Sequence, residues 1–229
     1  MLISHRYKFL FVSVPKTGTV SMLKALHPYG DVFNTPNPFS PLYLHNKAEK
    51  IKKLFIENGW NWDEYFKFGF VRNPWDSLVS QYFYKINFAE RQKTNAPYNK
   101  LFMLHCKKFK YLCKDFNSAV ISNMLTTTNQ KNWVFDDKNK NLLNFIGRFE
   151  NMDQDFKTAC EKINLPQIEL KRFNRTTHEN YKTYYTEETI KIIEEKFKED
   201  IRIFNYKFDG FTEIMSSEDY NKRISSINQ

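Results

Sequence analysis

The sequence is short of several things. It has three cysteines and six glycines in 229 residues, and no long apolar run. Cys106, Cys113 and Cys160 form an odd, sparse set, so no disulfide framework organises the chain. Cys106 and Cys113 stand seven apart with no histidine pair beside them, which excludes the usual zinc-ligand spacings. They read as reduced, buried thiols. A spanning helix needs roughly 18 or more consecutive apolar residues, and none occurs. The run from Phe9 to Val14 is too short for a secretory leader and lacks a small-residue cleavage site. The chain therefore reads as cytoplasmic, unless a membrane stem has been trimmed away. Repeats and long low-complexity linkers are also missing.

What is present suits one folded domain over residues 1–229. The hydrophobic share is 41% and the aromatic share 17%, enough to fill a core. The net charge of +9 favours an anionic partner: a nucleotide, an acidic glycan, nucleic acid or a membrane surface. An overall excess also serves plain solubility, so only its local placement argues function.

Periodicity gives an element order. Lys8–Val14 reads as a strand buried on both faces, and Thr19–Leu26 as a helix. The prolines of 34–41 make that stretch irregular. Asn46–Asn58 predicts a helix, with Ala48, Ile51, Leu54 and Phe55 on one face and Gly59 to end it. Tyr65–Val71 reads as a second strand, followed by a helix starting at Pro74 with Leu78, Val79, Tyr82 and Phe83 inward. Residues 88–140 suggest two helices and polar loops. Asn144–Glu150 reads as a third strand and Asp153–Lys162 as a helix. Thr186 can cap a last helix, whose stripe is Ile190, Ile193, Phe197, Ile201 and Phe204. Strands alternating with helices imply an α/β fold with a parallel sheet.

Two junctions carry chemistry. In "FLFVSVPKTGTVSM" a buried strand turns through Pro15, Lys16, Thr17 and Gly18 into a helix that opens with Thr19, Val20 and Ser21. Such a loop aims backbone N–H groups and a positive helix end at one point, where a phosphate fits. It is not the ATP/GTP loop GxxxxGK[ST], because Lys16 precedes the glycine and no Lys follows it. The second junction, "FGFVRNPWDSLVSQYFY", repeats the plan. Arg72 stands at a strand's end, where ligands of open α/β sheets bind, and Ser80 lies two turns into the next helix. A plainer reading pairs Arg72 with Asp76. Two phosphate-type sites suggest a nucleotide with phosphates at both ends of its ribose.

Together these segments resemble the PAPS-dependent sulfotransferases, where PAPS is 3′-phosphoadenosine 5′-phosphosulfate. "PKTGTVS" resembles the family's 5′-phosphosulfate loop, and "FVRNPWDSLVSQYFY" its 3′-phosphate motif. "FIGRFENMDQDF" and the stretch from His178 to Phe208 resemble the bacterial and carbohydrate (Golgi-type) branch. The resemblance implies a P-loop-like three-layer domain, with a central, mainly parallel sheet flanked by helices. It implies PAPS as co-substrate and PAP as product, with no metal. The acceptor would be a hydroxyl compound, a carbohydrate by the branch resembled. It assigns the cofactor to Pro15 through Ser21 with Arg72 and Ser80, and transition-state charge to Lys16. Val20 departs from the pattern, standing where many members carry Thr or Ser. The family's late Arg-Lys-Gly loop is replaced by "LKRFNRTTH", in which Arg172 and Arg175, beside Lys171, are candidates to cover the 3′-phosphate.

A base must take the acceptor's proton, and histidine is tuned for that near neutral pH. His5 precedes the Lys8–Val14 strand, His27 follows the first helix, His105 lies in a helical stretch, and His178 sits in the basic loop. His45 follows the proline-rich stretch and precedes a helix, as a histidine does in the resembled branch. It is the candidate base, with a helix-capping or surface role as the plainer alternative. Rival readings are a kinase-like nucleotide-binding protein, a non-catalytic PAP-binding protein, and a nucleic-acid module. The missing GK[ST] speaks against the first. The last lacks an RNP-like strand or zinc-finger spacing.

Overall fold

The structure, a computed structural model, describes residues 1–211 except 36, 38, 39, 41, 91–96, 126, 172 and 174–177, and leaves the side chains of 97–99 undescribed. The elements in chain order are β1 (Leu2–Ser4), β2 (Phe9–Val12), α1 (Thr19–Leu26), β3 (Val32–Phe33), α2 (Ala48–Glu57), β4 (Phe66–Val71) and α3 (Pro74–Ala89). Then follow α4 (Pro97–Leu112), α5 (Phe116–Ile121), α6 (Lys131–Val134), β5 (Phe145–Arg148), α7 (Met152–Lys162), α8 (Glu187–Lys196) and α9 (Lys198–Ile203). A small hairpin, β6 (Tyr206–Lys207) and β7 (Gly210–Phe211), comes last among the described residues.

The main sheet has the order β3-β1-β2-β4-β5. β2, β4 and β5 run parallel, while β1 is antiparallel to both β2 and β3. Four strands therefore point one way and β1 opposes them. Alternation along each strand divides the core into two faces. Phe9, Phe11, Phe68 and Phe70 face α1 and α7, meeting Met22, Leu26, Phe156 and Ala159. Leu10, Val12, Val71 and Ile146 face the other way, toward Ile51 and Phe55 of α2, Leu78 and Val79 of α3, Phe116 of α5 and Ile193 of α8. Helices on both faces make three layers, the architecture the sequence implied.

Several boundaries differ from expectation. The first strand stops at Val12, because Ser13 and Val14 already turn into the loop. β1 precedes it, so His5 lies in the β1–β2 turn rather than before the first strand of the sheet. The C-terminal stripe is carried by two helices. Phe197, at φ −113° and ψ 23°, breaks α8 from α9, yet Ile193, Phe197, Ile203 and Phe204 remain buried. Gly59 takes φ 67° just past α2, the left-handed stop a glycine supplies. The cysteines are free and buried.

Candidate active site

The parallel strands deliver their C-terminal ends to one edge of the sheet. From β2 comes the loop of Ser13 to Gly18, from β4 comes Arg72, and from β5 comes Phe149. The first loop is held from within. The hydroxyls of Thr17 and Thr19 both donate to the Val14 carbonyl at 2.9 Å. Their protons thus brace the loop rather than point outward as donors. Ser21 is buried too, and its hydroxyl accepts the Phe173 N–H at 2.9 Å. Gly18 has φ 78°, and a Cβ there would sit 2.7 Å from the Met152 sulfur. Backbone conformation and close packing both require glycine at this position. Gly18 is also the N-cap of α1, which has no side-chain cap. Lys16 adopts φ 67°, a left-handed conformation uncommon for lysine.

Lys16 and Arg72 converge. Arg72 donates from Nη1 to the Lys16 carbonyl at 3.1 Å and from Nε to Asp76 at 2.8 Å. Its guanidinium lies over the Phe149 ring, 3.9 Å from the centroid. The Lys16 ammonium lies 4.5 Å from the Tyr84 ring centroid. Burial first, and the Arg72 cation second, draw its pKa down to about 7. Asp76, Ser80 and Tyr84 are four apart along α3 and so share one helix face. Ser80, itself buried, stands between the residue that holds Arg72 and the one that underlies Lys16. The plainer reading of Arg72 as an ion pair with Asp76 is thus correct as geometry. It engages only one of five guanidinium N–H groups.

Arg72 is also fixed through its backbone. The Gln130 side chain accepts the Arg72 N–H at 2.8 Å and donates to the Arg72 carbonyl at 2.6 Å. Gln130 is held in turn by Asp200, which accepts the N–H groups of Gln130 at 2.5 Å and Lys131 at 3.0 Å. Asp200 is fully buried, and burial pushes its pKa up to about 7. Next along the chain, Asn73 caps α3, and its N–H donates to Glu150 at 2.6 Å.

His45 joins the same edge. Its Nδ1 donates to the Ser13 carbonyl at 2.8 Å. A carbonyl only accepts, so the neutral ring carries its lone pair on Nε2. Burial leads in holding the His45 pKa below the usual histidine value, and the Lys16 charge acts in the same direction. The Trp133 indole donates to the His45 carbonyl at 3.0 Å. The other histidines are placed differently. His5 meets Tyr65 at 2.6 Å, His27 stacks on Phe33, His105 contacts Lys85, and His178 stacks on Phe83. Arg172 and Arg175 lie outside the described residues. A cavity of about 560 Å³ opens beside this edge, lined by Glu150–Gln154, Lys157 and Gln167–Leu170. Lys16 and Arg72 do not line it. Its wall reaches them through Met152, which packs on Gly18, and through Glu150.

Sequence reasoning missed Tyr84, Phe149, Gln130 and Asp200. Tyr84 carried a signal, its four-residue step from Ser80. The others are brought in by packing between distant segments.

A profile described as the sulfotransferase family matches residues 1–207. An uncharacterized protein of Archaeoglobus fulgidus is 28% identical over 142 residues, which cover 57% of this chain and 88% of that protein. The crystal structure of mouse sulfotransferase SULT7A1 complexed with PAP aligns at a TM-score of 0.44 and 16% identity, over 87% of this chain and 86% of that one.

Proposed function

The chain belongs to the sulfotransferase family, and from that premise we propose how its residues divide the work. It is a PAPS-dependent sulfotransferase. The observation that carries the residue assignment is the meeting of Lys16 and Arg72 at two neighbouring strand ends, joined by the bond from Arg72 to the Lys16 carbonyl.

In this reading the uncapped N-terminus of α1 and the loop from Pro15 to Ser21 take the 5′-phosphosulfate. Arg72, still rich in unengaged N–H groups, takes the 3′-phosphate with Ser80 beside it. The adenine lies toward the cavity near Met152 and Glu150. The acceptor hydroxyl gives its proton to His45 Nε2 as its oxygen bonds to sulfur. The bond from sulfur to the phosphate oxygen breaks, and 3′,5′-ADP leaves. Charge growing on that oxygen meets the Lys16 ammonium, a donor fixed before the reaction begins. Thr17 and Thr19 contribute by holding the loop's shape, and Val20 by its backbone N–H alone.

A carbohydrate hydroxyl is the acceptor we favour, on the branch resemblance of "FIGRFENMDQDF". Three buried, unpaired thiols support a reducing compartment such as the cytoplasm. No helix among the described residues is long and apolar enough to cross a membrane. Calorimetry with PAP, AMP and ATP, followed by an acceptor screen with labelled PAPS, tests the proposal. PAP binding far tighter than AMP and label transfer to a glycan support it. Equal affinity for the three nucleotides would overturn it.

A further inference from the structure

Helix α4 has two apolar faces, and among the described residues only one is covered. Its inner face buries Cys106 and Phe109 and half-buries Phe102 against α3 and its neighbours. Its outer face exposes Leu101 at 71%, Leu104 at 63%, Tyr111 at 87% and Leu112 at 50%. Four of the eight large exposed hydrophobics among the described residues thus sit on one helix. At 3.6 residues per turn, these four side chains and Lys108 fall within roughly 100° of arc. They form a patch rather than a scatter of single exposed residues.

Charge surrounds the patch. Residues 97–114 contain Lys100, Lys107, Lys108, Lys110 and Lys114 and no Asp or Glu. Lys108 lies within the stripe, Lys100 and Lys107 line one flank, Lys110 lies farther round toward α3, and Lys114 follows the helix. Lys110 pairs with Glu90 of α3 at 2.7 Å. The lysines disfavour a second copy of this helix as the cover, since like charges would face each other across the stripe. The face is also a convex helix surface with long basic arms beside leucines and a tyrosine. A planar interface suits that shape: apolar side chains enter the acyl boundary and ammonium groups stay at the headgroups.

We propose that α4 docks this protein on an anionic lipid surface. Leu101, Leu104, Tyr111 and Leu112 insert shallowly, while the lysines meet lipid phosphates. Docking would also keep the reaction site near the headgroups, because on the inner side of α4 Phe102 packs on Tyr84, whose ring carries the Lys16 ammonium. The inference does not depend on the sulfotransferase reading, and its test needs no turnover.

The full chain is floated with vesicles of phosphatidylcholine alone and of phosphatidylcholine mixed with phosphatidylglycerol, at low and high salt. Binding is expected to the anionic vesicles, weakened by salt. The double variant Leu101→Ser/Leu104→Ser alters exposed side chains only and keeps every charge. It should unfold at the wild-type temperature and lose binding at least tenfold. Lys107→Glu/Lys108→Glu should lose as much. Equal binding to both vesicle types, or to neither, would overturn the proposal. So would unchanged binding by the Leu double variant, which would mean simple electrostatic adsorption. Light scattering that finds a dimer dispersed by Leu101→Ser/Leu104→Ser would give the face to a second copy. Tighter binding to soluble polyglutamate than to vesicles would give it to an acidic protein. Either result refutes lipid docking.

Discussion

Lys16 should make PAP binding and turnover depend on pH in a way that identifies it. Its pKa is drawn down to about 7, first by burial and then by Arg72. At neutral pH about half of the free protein has therefore lost that charge. Two units higher only about 1% retains it, and PAP affinity should fall roughly tenfold per unit along the way. A bound phosphate raises the lysine's pKa, so binding above pH 7 should take up a proton. Calorimetry in buffers of different ionisation heat reads that uptake directly. Because kcat/KM for PAPS reports the free enzyme and kcat the complex, the alkaline fall belongs to kcat/KM, while kcat stays level over the same range.

In the proposed mechanism the acid side belongs to His45, which must be neutral to accept a proton. Burial holds its pKa below the usual 6.5, so the acid limb should lie below that value. Lys16→Arg keeps a fixed charge and should abolish the alkaline fall in affinity, whatever it costs in absolute rate. Lys16→Met should bind PAP without that pH dependence and lower kcat by about 10²–10³. An alkaline limb that persists in Lys16→Arg would refute the reasoning. A Lys16→Met enzyme with intact kcat and a raised KM would make Lys16 a ground-state anchor instead.

Arg72→Ala should weaken PAP far more than AMP, because only PAP carries the 3′-phosphate; equal losses in calorimetry would remove Arg72 from that role. His45→Ala should leave PAP affinity within about twofold while kcat drops by roughly 10²–10⁴. Full activity in that variant would pass the base to another group, such as His178 or Glu49. Asp200 binds a proton more tightly folded than unfolded, with a pKa near 7 against 3.8. Its burial therefore costs the fold least at acid pH, and stability falls as pH rises from about 4 to about 7, by an amount on the order of a few kcal/mol. Asp200→Asn should flatten the slope in urea melts across that range, and an unchanged slope would mean that Asp200 stays ionised when folded.

What the sequence disclosed depended on how local each feature is. The helix Thr19–Leu26 has its observed limits because a glycine and a short amphipathic run define it. The strand before Arg72 was legible because six residues, three of them Phe in alternation, end at a proline-led helix. β1 and β3, with three and two residues, are too short for any periodicity to register. The break at Phe197 left no mark either, since the apolar step of three or four runs straight across it. Lys16 and Arg72 could be named because each lies beside a strand-to-helix junction, and Ser80 because it lies two turns into the helix that follows one. Gln130 reaches Arg72 across 58 positions and Asp200 reaches Gln130 across 70, and neither stretch carries a motif. His45 was legible only as a histidine before a helix. The bond to Ser13 that fixes its tautomer is a product of the fold.

The excess of basic residues in the whole chain becomes intelligible once it is located. At the strand ends two cations, Lys16 and Arg72, share one mouth. Asp76 answers Arg72 as a carboxylate, and the rings of Phe149 and Tyr84 offer each cation a π face rather than a full charge. In that mouth burial first, and the Arg72 cation second, bring the Lys16 pKa close to neutrality. On the proposed assignment an arriving polyanion would raise that pKa and restore the ammonium at the same moment. The lysine would then be charged most fully when a phosphate-linked leaving group sits beside it. Four further lysines lie on α4 and Lys114 follows it, with an exposed apolar stripe running beside them and only Lys110 paired, to Glu90, among the ion pairs described. One group of charges is enclosed and few, matched to a small ligand. The other is exposed and spread along a helix of about 24 Å, matched to an extended anionic surface.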